Sequence, residues 1–211
     1  MTITKLGHAC VRIEHDGQVV IVDPGGFTAA GATEGATAVL VTHEHADHLD
    51  LGQLRATDAP IWTIEAVRAQ IAEGDPAVAE RVSVVGPGDA FDVGLPVTAV
   101  GSQHAVIHPD IPGVTNSGFL LDVGGTAVYH PGDAFTVPDG GVDLLLLPVH
   151  APWSKVSEVA DFARAVGAPR AVAVHDALLS ETGLAVVGRV LGGLLADQDY
   201  ERVEPGTDLS L

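Results

Sequence analysis

The last third of the chain alternates between continuous apolar runs and amphipathic segments, and this alternation restricts the fold more than any other feature. Continuous apolar runs are typical of strands buried on both faces, and parallel strands need crossover helices between them. The pattern predicts strands over residues 143–149 and 170–175, and helices over residues 154–166 and 181–195. We therefore expect a parallel sheet covered by helices in this part of the chain.

The first two thirds favour antiparallel pairing. Residues 10–22 and residues 118–129 each contain two short apolar runs around a glycine-containing turn, which predicts two hairpins. Further strands are predicted over residues 38–41, 81–85 and 97–100, and helices over residues 49–54 and 65–72. Hairpins followed by strand-helix alternation predict a layered α/β protein with mixed sheets, which we expect to form a single domain over residues 1–211.

Composition limits the classes of function. The 211 residues are 46% apolar and carry a formal charge of −18 at pH 7, so the chain can bury a substantial core but repels polyphosphates. No apolar stretch approaches the roughly 20 residues that span a bilayer, and the first residues lack a signal-peptide pattern. We therefore expect a soluble cytoplasmic protein that binds neither nucleic acid nor a membrane. The oligomeric state stays open.

The positive charges are unevenly distributed. No Lys or Arg occurs between Arg81 and Lys155. A site built from that segment would offer no cationic side chain to an anionic substrate. This favours a neutral or weakly charged small molecule as the substrate.

The strongest local motif is His43-x-His45-x-Asp47-His48, placed directly after the predicted strand over residues 38–41. Residues two apart point the same way from an extended chain, so these side chains can converge. The single cysteine, Cys10, excludes a thiolate cluster and is expected to be a buried apolar residue, so a metal site must use imidazole and carboxylate. These ligands suit Zn²⁺ and, less exclusively, Mn or Fe. The alternative is a histidine-rich surface loop.

The chain resembles the metallo-β-lactamase superfamily, whose hallmark is this motif. Further matches follow in order: Asp23 in Val-Asp-Pro-Gly, an isolated His104, Asp133 in Gly-Asp, and His175 at a strand end. The segments Leu-Gly-His-Ala, Asn-Ser-Gly-Phe and Tyr-His-Pro-Gly-Asp are similar to the compact subgroup that includes ascorbate-6-phosphate lactonase-like proteins.

The resemblance implies a four-layer αβ/βα sandwich of two mixed sheets flanked by helices, with two divalent metal ions, Zn²⁺ before Mn²⁺ or Fe. The implied ligands of one ion are His43, His45 and His104. Those of the other are Asp47, His48 and His175. Asp133 would bridge the two ions, and Asp23 would orient a ligand from outside the first shell.

The remaining histidines lack such support. His15 is expected in a turn, and His8, His108 and His130 are at most rim residues. His150 stands where the subgroup has a glycine-rich turn, and it either contacts substrate or caps a strand end. Ala134 replaces the usual threonine, so any contact made by that hydroxyl is absent.

The expected activity is hydrolysis of an ester, lactone, amide or phosphodiester-type small molecule by water activated between two metals, with Asp47 and Asp133 as the catalytic carboxylates. The main alternative is an iron-dependent redox enzyme on the same scaffold. A nuclease is less favoured because of the negative charge, and a binding protein with a structural metal also stays open.

Overall fold

The computed structural model describes residues 1–209. The strands are β1 (Thr2–Lys5), β2 (Val11–His15), β3 (Gln18–Val22), β4 (Ala38–Val41), β5 (Ile61–Thr63), β6 (Val82–Val84), β7 (Ala90–Asp92), β8 (Pro96–Val100), β9 (Gly118–Val123), β10 (Thr126–His130), β11 (Leu144–Pro148), β12 (Arg170–Val174), β13 (Asp199–Glu201) and β14 (Asp208–Leu209). The helices are α1 (Leu51–Arg55), α2 (Glu65–Gly74), α3 (Pro76–Ala79), α4 (Val156–Val166) and α5 (Glu181–Leu194).

These strands form two seven-stranded sheets. The first has the order β14-β1-β2-β3-β4-β5-β6, and the second has the order β13-β12-β11-β10-β9-β8-β7. In each sheet the hairpin strands pair antiparallel, and the strands joined by helices, such as β4 with β5 and β11 with β12, pair parallel. Both predicted hairpins and the predicted parallel pairing are therefore confirmed.

Three apolar clusters establish the layers. One lies between the sheets and joins residues such as Ile13 and Leu40 of the first sheet to Phe119 and Leu146 of the second. Another packs α4 and α5 against the outer face of the second sheet, and the last packs the three short helices against the first sheet. The four-layer sandwich implied by the resemblance is thus confirmed, with a sheet-sheet interior between two helical layers.

Local signals explain where the helices begin. Asp50 accepts a hydrogen bond from the backbone N–H of Gln53 at the start of α1, and Ser180 does the same for Gly183 in α5. The helix expected from residue 154 begins at Val156, because Lys155 and Glu158 form its capping contacts. Within residues 1–209, none of the helices is both long and apolar enough to cross a bilayer.

Two expectations about single residues need correction. His15 is the last residue of β2, and the turn itself falls on Asp16 and Gly17. Cys10 precedes β2 instead of lying within it, although it is fully buried as expected. Burial raises the pKa of the Cys10 thiol, so the side chain behaves as a small apolar residue.

Candidate metal centre

The candidate ligands lie on loops that leave the ends of four strands. His43 follows β4, His104 follows β8, Asp133 follows β10 and His175 follows β12. Strand ends gather the functional side chains of α/β sheets because the backbone leaves the sheet there. Here the strands come from both sheets, so the site lies at one edge of the sandwich.

Four side chains form the first cluster. Candidate ligand atoms of His43, His45, His104 and Asp133 all lie within 4.8 Å of one another. Oδ2 of Asp133 is 3.4 Å from Nε2 of His104 and 3.9 Å from Nε2 of His43. His45 presents Nδ1, which is 3.0 Å from Nε2 of His43.

The second cluster shares Asp133 with the first. Nε2 of His48 is 3.1 Å from Oδ1 of Asp133, and Nε2 of His175 is 3.2 Å from Oδ2. Oδ2 of Asp47 is 3.4 Å from Nε2 of His175 and 3.8 Å from Nε2 of His48. The structure therefore brings together all seven side chains that the sequence singled out, with Asp133 between the two groups.

Hydrogen bonds on the outer side of the rings fix which nitrogen faces the centre. Nδ1 of His104 lies 2.5 Å from the carbonyl of Ala105, and Nδ1 of His175 lies 2.6 Å from the carbonyl of His150. A carbonyl only accepts, so each Nδ1 carries a proton, and in the neutral ring each Nε2 keeps its lone pair. This is the tautomer that a metal ligand requires.

Asp23 fixes the rings of His48 and His43 from a fully buried position. Its Oδ2 accepts from Nδ1 of His48 at 2.7 Å and from the hydroxyl of Thr42 at 2.8 Å, while Oδ1 accepts from the Thr42 N–H at 2.7 Å. Because the Thr42 hydroxyl donates to Asp23, it accepts from Nδ1 of His43, 3.0 Å away. One carboxylate therefore orients histidines of both clusters.

The loops approach one another closely, and two glycines are required for this. A Cβ on Gly25 would lie 1.9 Å from the carbonyl oxygen of Asp47, so the loop after β3 can pass beneath the histidine motif only without a side chain. Gly132 has a φ of 62° and packs against Thr42 and Asn116. Asn116 accepts from the N–H of Asp133 at 3.0 Å, which holds that loop in place.

The chemistry of the donors fits divalent cations. Nε2 of His48, His104 and His175 and Oδ1 of Asp133 are buried atoms without a hydrogen-bond partner in residues 1–209. Buried polar atoms are rarely left unpaired in folded proteins. Cations bound in the two clusters would provide partners for the lone pairs of all four atoms. Lone pairs of imidazole and carboxylate that converge at 3–4 Å repel one another unless a cation or a proton lies between them.

The pKa shifts in the metal-free protein also arise from the close approach of these buried imidazole and carboxylate groups. Burial favours the neutral form of Asp133, but the charge of His48 and the close imidazoles of His104 and His175 outweigh it and hold the pKa well below its usual value. Burial also opposes protonation of His48, yet Asp133 and Asp23 raise its pKa well above the usual value. Protons thus occupy the region where cations would be held.

The carboxylate of Asp47 is likewise ionised. Burial would raise its pKa, but interactions with His175 and His8 lower it far below the ordinary value. Its side chain is 22% exposed, whereas that of Asp133 is 3% exposed. Asp47 is therefore the carboxylate at the open side of the centre.

Two further side chains lie at the centre: His8, which was expected at most on the rim, and Trp153, for which no role at the centre was predicted. His8 is fully buried, its ring centroid lies 3.8 Å from that of His175, and its Nε2 lies 3.3 Å from Oδ2 of Asp47. The indole N–H of Trp153 donates to Oδ2 of Asp133 at 3.0 Å. The Leu-Gly-His-Ala segment was the available signal for His8, but the contacts of His8 and Trp153 with these carboxylates are tertiary and have no local pattern.

The other histidines have separate positions. His150 is half-buried and contributes its carbonyl to His175. His130 is buried, with Nε2 donating to the carbonyl of Ala9 and Nδ1 accepting from the N–H of Gly132, so both ring nitrogens are satisfied within the fold. His108 is exposed on the loop after His104. Ala134, buried beside Asp133, offers no hydroxyl.

A cavity of about 400 Å³ adjoins the centre at His104. Its lining runs along the loop after β8 and includes the exposed side chains of Val106 and Ile111. Lys5 and Arg202 are both engaged by the residue that follows His175, since each contacts Oδ2 of Asp176 at 2.7 Å. The cavity wall is therefore mostly apolar, with Gln103 and His108 as further polar residues in its lining.

Comparison with known proteins identifies the family. The model of the beta-lactamase superfamily domain matches residues 2–175, which includes every candidate ligand. The chain belongs to the metallo-β-lactamase superfamily. It is 40% identical over 188 residues to Protein Rv0786c of Mycobacterium tuberculosis, covering 85% of this chain and 86% of that protein. It is 30% identical over 190 residues to a UPF0173 metal-dependent hydrolase of Methanoregula boonei, covering 83% and 82%.

Solved structures show that this superfamily fold serves more than one chemistry. Igni18, a metallo hydrolase from Ignicoccus hospitalis, superimposes with a TM-score of 0.76 at 17% identity, covering 99% of this chain and 97% of that one. CmlA, a diiron β-hydroxylase from Streptomyces venezuelae, superimposes with a TM-score of 0.70 at 17% identity, covering 100% of this chain and 54% of that one. At these identities the likeness concerns the fold alone.

Proposed function

We propose that this superfamily member is a metal-dependent hydrolase that acts on a small molecule with two divalent ions, Zn²⁺ before Mn²⁺ or Fe. The observation that supports it most is the pair of donor clusters that share Asp133, with buried lone pairs left without partners. Structural zinc sites are usually closed by four ligands, whereas these clusters offer seven side chains and an exposed edge at Asp47. The naming of the UPF0173 relative as a metal-dependent hydrolase agrees with this proposal.

Each cluster would hold one ion. His43 and His104 would bind the first through Nε2 and His45 would bind it through Nδ1. His48 and His175 would bind the second through Nε2, together with Asp47, and Asp133 would contact both. When bound, such a pair of ions supplies an activated water at neutral pH and polarises the scissile group.

The side chains set the charge of the centre. Asp47 and Asp133 are both anionic because their pKa values are lowered. Two divalent cations carry four positive charges, and these two carboxylates neutralise two of them. The remaining charge favours a reaction in which negative charge develops on the substrate, as in attack on a carbonyl or phosphoryl group. Asp47 and Asp133 would thus contribute to catalysis by holding and balancing the ions.

We propose a neutral or weakly charged substrate with an apolar part. The cavity beside His104 presents Val106 and Ile111, and the chain from 82 to 154 lacks Lys and Arg. A phosphorylated or polyanionic substrate would meet no free cationic side chain on this wall. Neutral esters and lactones with short apolar chains suit it better.

The test begins with protein purified without added metal. Elemental analysis should find about two divalent ions per chain, and a screen of neutral esters, lactones, amides and phosphodiesters should show turnover that a chelator abolishes. Predominant iron together with oxygen consumption would favour the redox alternative instead.

Asp133→Ala tests the shared carboxylate. It should remove at least one ion per chain and abolish hydrolysis, because both clusters lose a donor. Asp161→Ala is the matched control, since Asp161 is exposed on α4. Retention of both ions and of full turnover in Asp133→Ala would refute the assignment.

A further inference from the structure

His8 is tied to the loop that carries His175 by two hydrogen bonds. It lies between β1 and β2 and is fully buried. Its carbonyl accepts from the N–H of His175 at 2.7 Å, and its Nδ1 accepts from the N–H of Ala177 at 3.0 Å. Both the backbone and the ring are therefore fixed in position.

The contact with Ala177 decides the tautomer of His8. A backbone N–H only donates, so Nδ1 of His8 holds the lone pair and Nε2 carries the proton. His48 and His175 show the reverse arrangement, with Nδ1 donating outward and Nε2 open towards the centre. His8 consequently offers the centre an N–H, where those histidines offer a lone pair.

This N–H is buried and points at the second cluster. Nε2 of His8 has no well-aligned hydrogen-bond partner in residues 1–209, and the nearest acceptor is Oδ2 of Asp47 at 3.3 Å. A buried donor left unpaired is unfavourable, so an acceptor is expected to move into alignment. Asp47 is the partner with freedom to do so, because it is the carboxylate at the open side.

We propose that His8 is a positioning residue whose Nε2–H hydrogen-bonds Asp47 and holds Oδ2 of that carboxylate towards His48 and His175. The inference rests on the proposed function, in which Asp47 binds the second ion. A carboxylate oxygen has two lone pairs, so Oδ2 accepts from His8 and keeps one for the ion. His8 would thereby set the affinity of the second cluster without binding the ion itself.

Two amide variants separate the roles of the two ring nitrogens. His8→Gln places an N–H near the position of Nε2, whereas His8→Asn keeps an acceptor near Nδ1 for Ala177 but has no donor that reaches Asp47. The affinity of the full-length protein for Zn²⁺ is measured by competition with a chromophoric chelator, and unfolding of each metal-free protein is measured in parallel.

The expected result is a second ion bound about 10–100-fold more weakly in His8→Asn, as for the loss of other outer-shell partners. The first ion should be unchanged, and His8→Gln should remain within a few-fold of wild type for both ions.

Other outcomes would overturn the inference. A purely structural role in holding the loop at Ala177 predicts the opposite order, with His8→Gln impaired and His8→Asn intact. Direct ligation by His8 predicts loss of the second ion in both variants. Wild-type protein that binds a single ion contradicts the dinuclear proposal, and the His8 inference then depends on whether His8→Asn weakens that ion.

Discussion

Replacement of Asp23 by Asn should weaken both metal clusters while the fold is kept. Asn has nearly the same volume, and its carbonyl can still accept from the N–H of Thr42. Its amide group, however, replaces Oδ2, which accepts from Nδ1 of His48 and from the Thr42 hydroxyl in the native protein. An amide N–H cannot accept either hydrogen bond.

The buried rings can satisfy the new amide only by changing tautomer. If Nδ1 of His48 accepts from the amide of Asn, its proton moves to Nε2, which faces Asp133 at 3.1 Å. The Thr42 hydroxyl would likewise turn to donate to Nδ1 of His43, 3.0 Å away. Both rings would then present an N–H to the centre where a ligand needs a lone pair.

The expected loss of affinity follows from the two hydrogen bonds that the Asn amide cannot accept. Loss of an outer-shell partner lowers metal affinity about 10–100-fold, and here one ligand of each ion is affected. Each ion should therefore bind about 1.4–2.7 kcal/mol more weakly, since a factor of ten corresponds to about 1.4 kcal/mol. Competition with a chelator measures the two affinities, and the ¹⁵N chemical shifts of the imidazoles report the tautomers.

Thr42→Val provides the matched control. It removes only the hydroxyl between Asp23 and His43 and leaves the 2.7 Å contact of Asp23 with His48, so only the first ion should be weakened. Wild-type affinity for both ions in Asp23→Asn, or a His48 ring that still carries its proton on Nδ1, would refute the reasoning.

Two further predictions concern the centre. Burial would lower the pKa of His175, but the nearby carboxylates of Asp133 and Asp47 raise it to about 9 in the metal-free protein. The pKa of His48 is raised as well, so an ion in the second cluster must displace protons from both rings, and its affinity should rise at least about tenfold per pH unit between pH 7 and pH 9. Isothermal titration in several buffers measures this slope and the protons released, and a flat profile would contradict it. Trp153→Phe keeps an aromatic ring but removes the 3.0 Å hydrogen bond to Asp133, so the free energy of unfolding of the metal-free protein should fall by about 1.5–3 kcal/mol while the number of bound ions stays the same. Chemical denaturation measures the first quantity, and an unchanged midpoint would show that this contact contributes nothing to stability.

Much of the fold could be predicted because its signals are local. The hairpin of β2 and β3 follows from two apolar runs around Asp16 and Gly17, and the parallel strands β11 and β12 follow from apolar runs separated by a helical segment. The short strands β1, β5, β7, β13 and β14 were missed. Their few residues carry no distinctive periodicity, and most of them become strands by pairing with segments distant in the chain.

The candidate ligands also differ in whether a local sequence pattern predicts them. The motif from His43 to His48 is compact, so the spacing of its side chains along an extended loop predicts convergence by itself. His104, Asp133 and His175 were selected through the resemblance, because a lone histidine or a Gly-Asp pair has no distinguishing local pattern. His8 lies in the Leu-Gly-His-Ala segment that carries part of the resemblance, but it was expected at most on the rim, and Trp153 had neither kind of support.

The layered α/β class, the donor chemistry of imidazole and carboxylate, and the shortage of cationic side chains could all be predicted before folding is considered. These properties depend on residue type and on short-range periodicity. Which nitrogen of each ring faces the centre depends on the folded protein. The tautomer depends on the partner of the opposite nitrogen, and for His8 that partner, the N–H of Ala177, is 169 residues away in the chain.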